Sequence, residues 1–159
     1  MPDQRHWHTR LTVPSDAPHL QAVYATCVPR YYPDAWTLGC ATALDTAEAV
    51  IVATRAQRPE AFLIARGADA DGGAILSHLV VDQRLGDERI PAARAVCAGT
   101  LRWCLARGML TCRGNFHVDA AAALCRTFGG TLEEGTGCGV PSVRFDVRRC
   151  LDTLIAEGF

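Results

Sequence analysis

Residues 75–130 read ILSHLVVDQRLGDERIPAARAVCAGTLRWCLARGMLTCRGNFHVDAAAALCRTFGG, and this stretch decides the fold. The pattern predicts a buried strand at Ile75–Val81, a proline-started helix at Pro91–Arg107, a short strand at Met109–Arg113 and a capped helix at Asp119–Gly130. A turn rich in Arg and Gly, Gln83–Ile90, joins the first strand to the first helix. The first N–H groups of a helix lack intrahelical partners and the helix dipole is positive there. This turn therefore predicts an anion site that suits a phosphorylated cofactor.

Composition limits the class of protein. The chain has 159 residues, of which 49% are hydrophobic and 21% are charged, and we expect one soluble domain spanning residues 1–159. A net charge of −1 gives no strong nucleic-acid signal, since such binding rests on an excess of Lys and Arg. The sequence shows neither a signal-peptide core nor an apolar run of about 18 residues. We therefore expect a cytoplasmic protein with no membrane partner, and a homodimer stays open.

The 8 cysteines do not indicate a disulfide framework. The chain is long enough to fold without such cross-links, and no secretion signal indicates an oxidising compartment. No Cys-x-x-Cys pair indicates a zinc site, and His6 and His8 alone do not make one. We expect no metal and expect most thiols to be reduced and structural.

Strands and helices alternate along the rest of the chain. The helix between Ile75–Val81 and Met109–Arg113 is long enough for a right-handed crossover, so these two strands should be parallel neighbours. The other predicted elements are a strand at Thr9–Val13, a helix capped by Ser15, a second short helix at Leu38–Glu48, strands at Ala49–Arg55, Glu60–Arg66, Thr131–Thr136 and Ser142–Val147, and a last helix at Cys150–Glu157.

This order of elements resembles the GNAT superfamily, the GCN5-related N-acetyltransferases, from Thr9 to Val147. Asp119–Gly130 is similar to the penultimate helix of that family, and Leu124-Cys125 stands where the family has a Leu-Tyr pair. Leu101–Gly108 is similar to the end of the family's coenzyme A helix. The resemblance implies an α/β (α+β) fold of the acyl-CoA N-acyltransferase type. Such a fold has a mixed, mostly antiparallel sheet flanked by helices, in which the parallel pair is splayed.

The resemblance also implies acetyl-CoA, or another acyl-CoA, as cofactor. Backbone N–H groups at Leu79, Val80 and Val81 would hold the thioester carbonyl. The family's pyrophosphate loop reads Gln/Arg-x-x-Gly-x-Gly/Ala, whereas residues 82–91 here contain one glycine and two acids besides Asp82. Either the phosphates are held by arginines and free N–H groups, or coenzyme A binding is weakened, or these arginines belong to a solvated turn. The phosphate-binding candidates are Arg84, Gly86, Arg89 and, for a terminal phosphate, Arg94.

Three side chains are candidates for proton transfer. His78 is the one ionisable side chain within the central apolar strand, and an imidazole suits base chemistry near neutral pH. His117 precedes the helix cap and is a second candidate base. Cys125 stands where the family often has a tyrosine acid, and its thiol could protonate a leaving thiolate. A core histidine and an inert core thiol are the structural alternatives.

The resemblance implies a function as well as a fold. Tyr31, Tyr32 and Trp36 lie in the loop that borders the acceptor pocket in this superfamily, and they are candidate substrate contacts. The implied activity is direct transfer of an acyl group to an amine of a small molecule or a macromolecule, and acetyl is the acyl group expected. Two alternatives stay open. One is a non-catalytic binding protein of the same fold, and the other is an acyl enzyme using Cys125 with His117 or His78.

Overall fold

The computed structural model describes residues 6–28, 30–32, 43–68, 72–116, 118–133 and 142–159. Within them, seven strands form one sheet of order β1-β2-β3-β4-β5-β7-β6. All pairs of neighbouring strands are antiparallel except β4 and β5. The elements are β1 (His8–Leu11), α1 (Ala17–Ala25), β2 (Ala49–Arg55), β3 (Arg58–Ala68), β4 (Ala74–Val81), α2 (Arg89–Ala106), β5 (Thr111–Asn115), α3 (Asp119–Arg126), β6 (Thr131–Glu133), β7 (Ser142–Asp146) and α4 (Val147–Ala156). The predicted fold class is confirmed.

Helices cover both faces of the sheet. On one face, α2, α3 and α4 pack on a core that contains Leu63, Leu76, Val96, Phe128 and Leu154. On the other face, α1 packs through Leu20, Val23 and Tyr24 against Val52, Phe62 and Val80. All these residues are almost fully buried. The structure thus buries apolar side chains on both faces of the central strands, as their near-continuous apolar sequence indicates.

The boundaries of some elements differ from the sequence prediction. Helix α2 begins at Arg89, two residues before the predicted proline, because proline is tolerated anywhere in the first turn, where its missing N–H is not needed. It ends near Gly108, whose φ of 75° is the left-handed conformation that glycine adopts readily. Strand β5 lies two residues later than predicted, and α3 ends at Arg126. Residues 38–42 of the predicted Leu38–Glu48 helix and residues 134–136 of the predicted Thr131–Thr136 strand lie outside the described residues, and of the rest of that helix residues 43–45 are helical.

The six described cysteines are free and buried, which agrees with the prediction of reduced, structural thiols. Five of them lie in the core on the α2 face of the sheet: Cys97, Cys104, Cys112, Cys125 and Cys150. No described helix has the length and apolar character needed to cross a membrane.

Candidate functional site

Strands β4 and β5 stay together over only three residue pairs. Ala74, Ile75 and Leu76 pair with Cys112, Arg113 and Gly114. Beyond Leu76 this pairing stops, although β4 continues to Val81. The parallel, splayed pair predicted from the crossover helix and the resemblance is therefore present. The opening exposes an edge of β4 that can bind a ligand through its backbone.

A bulge in β4 marks the point where the strands separate. Leu63 pairs with Leu79 and Ala65 pairs with Leu76, so β4 contains one residue more than β3 over this interval. An extra residue bends its strand and changes the face on which the next side chains lie. As a result, Leu76 and Leu79 both pack on the α2 side, while Val80 packs on the α1 side.

The opening is the mouth of a cleft with a cavity volume of about 180 Å³. Its floor is formed by Leu79 and Val81 of β4. The walls come from the start of α2, from α3 with Val118 before it, and from the segment that follows α1, and most of these side chains are apolar. The lining residues beyond the floor are Cys27, Arg30, Tyr31, Tyr32, Gln83, Arg89, Ile90, Ala93, Val118, Ala120, Ala121 and Leu124. Such a mostly apolar cleft with a few polar side chains suits an organic ligand that carries polar groups.

The loop between β4 and α2 has the backbone of a tight turn. Asp82 caps it, because its carboxylate accepts a hydrogen bond from the Arg84 N–H at 2.9 Å. Gly86 has φ 60° and ψ −124°, a conformation that a side chain would strain. Gln83 and Gly86 occupy the first and fourth positions of the Gln-x-x-Gly-x-Gly/Ala pattern. The loop therefore follows that pattern more closely than its composition indicates, and only Glu88 departs from it at the sixth position.

Arg89 is the predicted phosphate-site arginine that lines the cleft. Its Nη1 donates to Gln83 Oε1 at 2.9 Å, and its Nε donates to the Gly86 carbonyl at 2.9 Å. These bonds hold the guanidinium at the first residue of α2. Sequence reasoning did not select Gln83, although its place in the loop pattern could have indicated it.

Arg84 and Arg94 lie elsewhere and are not among the described residues that line the cleft. Arg84 is mostly exposed and folds back on Asp82, with Nη2 at 2.7 Å from the carboxylate. Burial works against ionisation of Asp82, but the hydrogen bonds from Arg84 outweigh it and lower the pKa of that carboxyl group. Arg94 approaches Thr127 and Glu157, at 3.4 Å each, near the ends of α3 and α4. The sequence analysis did not predict that Arg84 would pair with Asp82 or that Arg94 would lie near Thr127 and Glu157.

The end of α1 is fastened to the start of the loop. The Thr26 hydroxyl accepts a hydrogen bond from the Gln83 N–H at 3.0 Å. The Cys27 thiol donates to the Val81 carbonyl at 3.3 Å, and burial raises the pKa of this thiol. These contacts hold the segment that carries Tyr31 and Tyr32 against the cleft.

Comparison with known proteins places this geometry in a fold family. No family model matches the sequence, and no curated protein is significantly similar to it. An acetyltransferase from Thermus thermophilus superposes with a TM-score of 0.63 at 18% identity, over 86% of this chain and 96% of its own. The GNAT family N-acetyltransferase YhbS from Escherichia coli, in complex with CoA, gives a TM-score of 0.65 at 17% identity, over 93% of this chain and 84% of its own. PaiA N-acetyltransferase from Thermoplasma acidophilum, in complex with coenzyme A, gives a TM-score of 0.66 at 12% identity, over 89% of this chain and 99% of its own. The chain has the GNAT fold.

The aromatic residues after α1 lie at one end of the cleft of this GNAT fold. Tyr31 and Tyr32 line it, and the Arg30 guanidinium lies 5.1 Å from the centre of the Tyr31 ring. Tyr32 stacks on the buried Tyr24, with 4.7 Å between ring centres. Trp36, the third predicted substrate contact, lies outside the described residues.

His78 contacts the aromatic end of the cleft through Tyr32. Its ring stacks with Tyr32, with 6.2 Å between ring centres, and Nδ1 is 3.0 Å from the Ser77 hydroxyl. The ring is half-buried, lies in the bulge next to Leu79, and is not among the described residues that line the cleft. His117, the second candidate base, lies outside the described residues.

Cys125 lies in the core and not among the described residues that line the cleft. Its side chain is fully buried. A hydrogen bond with the Cys97 thiol, together with burial, raises the pKa of Cys125 well above its usual range. Leu124, the preceding residue, lines the cleft instead. The expectation that the thiol lies near the acyl sulfur disagrees with this placement, because the turn of α3 points Cys125 toward α2.

Proposed function

We propose that this protein is an acyl-CoA-dependent N-acyltransferase, with acetyl as the expected acyl group and an amine as acceptor. The observation that carries the proposal is the cleft between the open edge of β4, the start of α2 and α3. It offers a mostly apolar cleft whose lining includes Gln83 of the glycine-containing loop and the Arg89 guanidinium. Two structures of the same fold were solved with coenzyme A.

The residues present fit coenzyme A. The apolar arm would lie over Leu79 and Val81, against Ala93 and Ala121. The phosphates would meet Arg89, Gln83 and the first N–H groups of α2, whose partial positive charge attracts anions. Guanidinium and phosphate form strong charge-assisted hydrogen bonds. We further propose that the N–H groups of Leu79 and Val81 serve the thioester carbonyl, where they would stabilise developing negative charge. The Val80 N–H, the third predicted donor, faces β3 instead, because Val80 pairs with Phe62 in the register in which the Asp82 N–H donates to the Glu60 carbonyl.

The acceptor would enter at the aromatic end of the cleft. Tyr31 and Tyr32 offer ring faces that suit an amine or an apolar group. We propose His78 as the group that takes the acceptor's proton, since it stacks with Tyr32 at the open half of β4. His117 is the second candidate for this role. We do not propose Cys125 as an acid or a nucleophile, because a buried thiol with a raised pKa is inert.

One observation favours a second candidate function. The family's tyrosine acid is replaced here by a thiol that lies in the core. A protein with this fold could therefore bind acyl-CoA without transferring the acyl group. The two functions share the cleft and differ in turnover.

Calorimetric titration with acetyl-CoA tests the binding, and two tryptophan variants of α3 give a matched pair. Ala120 and Ala123 are both exposed residues of the same helix, but of the two only Ala120 lines the cleft. We expect Ala120→Trp to weaken acetyl-CoA binding about tenfold or more by filling the slot. Ala123→Trp should bind like the wild type.

The outcomes separate the proposals. Absence of wild-type binding at millimolar acetyl-CoA would remove both functions, and equal effects of the two variants would move the ligand to another surface. Release of free coenzyme A thiol in the presence of a panel of amines would support transfer. Tight binding with no release across the panel would favour the non-catalytic function.

A further inference from the structure

The phosphate end of the cleft carries an acid at an unexpected place. Glu88 is the N-cap of α2, and it stands at the sixth position of the loop, where the pattern has Gly or Ala. A carboxylate beside a site for a polyanion opposes binding through charge repulsion. The chain must therefore compensate this charge if the loop is to accept phosphates.

Arg55 compensates it from another part of the sheet. This residue ends β2, 33 positions before Glu88 in the chain, and its Nη1 donates to a Glu88 carboxylate oxygen. Because β2 is separated from β4 by β3, the contact turns the Glu88 side chain away from the side on which β5 and the cleft lie. Neither Glu88 nor Arg55 is among the described residues that line the cleft.

Two further residues hold Arg55 in this position. Glu60 Oε2 lies 3.1 Å from Arg55 Nε, and the Trp7 ring lies 4.7 Å below the guanidinium carbon. Trp7 Nε1 also donates to Glu60 at 2.9 Å, so the three side chains fix one another. Burial disfavours the charged guanidinium, but Glu88 and Glu60 outweigh it and raise the pKa of Arg55. The Glu60 carbonyl accepts the Asp82 N–H at 2.9 Å, which ties the cluster to the start of the phosphate loop.

We infer that Arg55 is a positioning residue for the acyl-CoA site: it neutralises Glu88 and draws it aside, so that the start of α2 can bind the cofactor's phosphates. The inference rests on the proposed function. It explains how a loop with Glu88 at its sixth position can serve an anion. It also assigns a role in cofactor binding to a residue two strands away from the cleft.

The opposite end of α2 supplies a matched control. Arg107 lies 2.7 Å from Glu48 and 5.2 Å from the centre of the Trp103 ring. It therefore has the same kinds of partner as Arg55, an acid and an indole, but far from the phosphate loop. Arg107→Gln removes an ion pair and a stacking contact without changing the charge near the cleft.

The test is calorimetric titration of the full chain with coenzyme A at low and high salt, for the wild type, Arg55→Gln, Glu88→Gln, the double variant and Arg107→Gln. Arg55→Gln should weaken binding roughly threefold to tenfold at low salt, and less at high salt, because it leaves Glu88 unpaired. Glu88→Gln should bind at least as well as the wild type, and the double variant should recover the affinity of Glu88→Gln. Arg107→Gln should bind like the wild type.

Three results would overturn the inference while leaving the proposed function intact. These are an unchanged affinity in Arg55→Gln, an equal loss in Arg107→Gln, and a double variant as weak as Arg55→Gln. The last would mean that Arg55 acts through shape and not through the charge of Glu88. If the wild type itself binds no coenzyme A, the proposed function fails and the inference fails with it.

Discussion

The two halves of β4 differ in the neighbouring strands with which they pair. Ala74–Leu76 is paired on both sides, with β3 and with β5. Ser77–Val81 keeps its pairing with β3, apart from the bulge, and has left β5. The first half closes the sheet and the second half opens it for a ligand. The site is therefore made by interrupting a sheet whose continuity the sequence otherwise favours.

A substitution that disrupts the closed half of β4 should have the largest effect on the stability of the protein. A Cβ on Gly73, just before β4, would lie 2.3 Å from the Thr111 carbonyl oxygen of the chain entering β5. Backbone cannot rotate away as a side chain can, so we expect Gly73→Ala to lower the free energy of unfolding by roughly 3 kcal/mol. Urea denaturation measures this loss.

Gly67, near the end of the neighbouring β3, is the control for that variant. A Cβ there has no atom within 4 Å, so Gly67→Ala should stay within about 0.5 kcal/mol of the wild type. If both variants lose equal stability, the close approach of β4 and β5 is not what the closed half depends on.

A change at the boundary of the two halves should separate rate from stability. His78 lies in the bulge region, and its proposed role is in proton removal. We expect His78→Ala to lower kcat about 10²-fold, equal to about 2.7 kcal/mol, with little change in the Kd of acetyl-CoA. Steady-state kinetics with the best amine, together with calorimetry, measures both quantities.

The same experiment on His117→Ala shows which imidazole acts. A folded His78→Ala variant with full activity would refute the assignment. The base would then be His117, a water chain or the acceptor itself.

Much of the frame could be predicted from the sequence, because local patterns specify it. The apolar run of β4, the helix that follows it and the crossover between β4 and β5 all depend on neighbouring residues, and they are present. The loop could be placed for the same reason. Its glycine, Gly86, has the positive φ that a tight turn needs.

The side-chain partners could not be predicted, because they depend on contacts that are distant in the chain. Arg55 meets Glu88 across 33 positions and Arg94 meets Glu157 across the helical layer. The orientation of Cys125 depends on one-residue phasing of α3 against Cys97, which periodicity does not specify. Arg84 is different, since its partner Asp82 is two residues away and a capping acid there could have been recognised.

Amide chemical shifts, followed residue by residue by NMR during titration with coenzyme A, test the central claim most directly. If the open half of β4 is the cofactor slot, saturating coenzyme A should shift the amide resonances within Ser77–Val81, because the ligand would lie against this part of the strand. The resonances of Ala74–Leu76, which are paired with β5, should move much less. Binding of coenzyme A with no shifts in Ser77–Val81, or with equal shifts in both halves, would contradict the account.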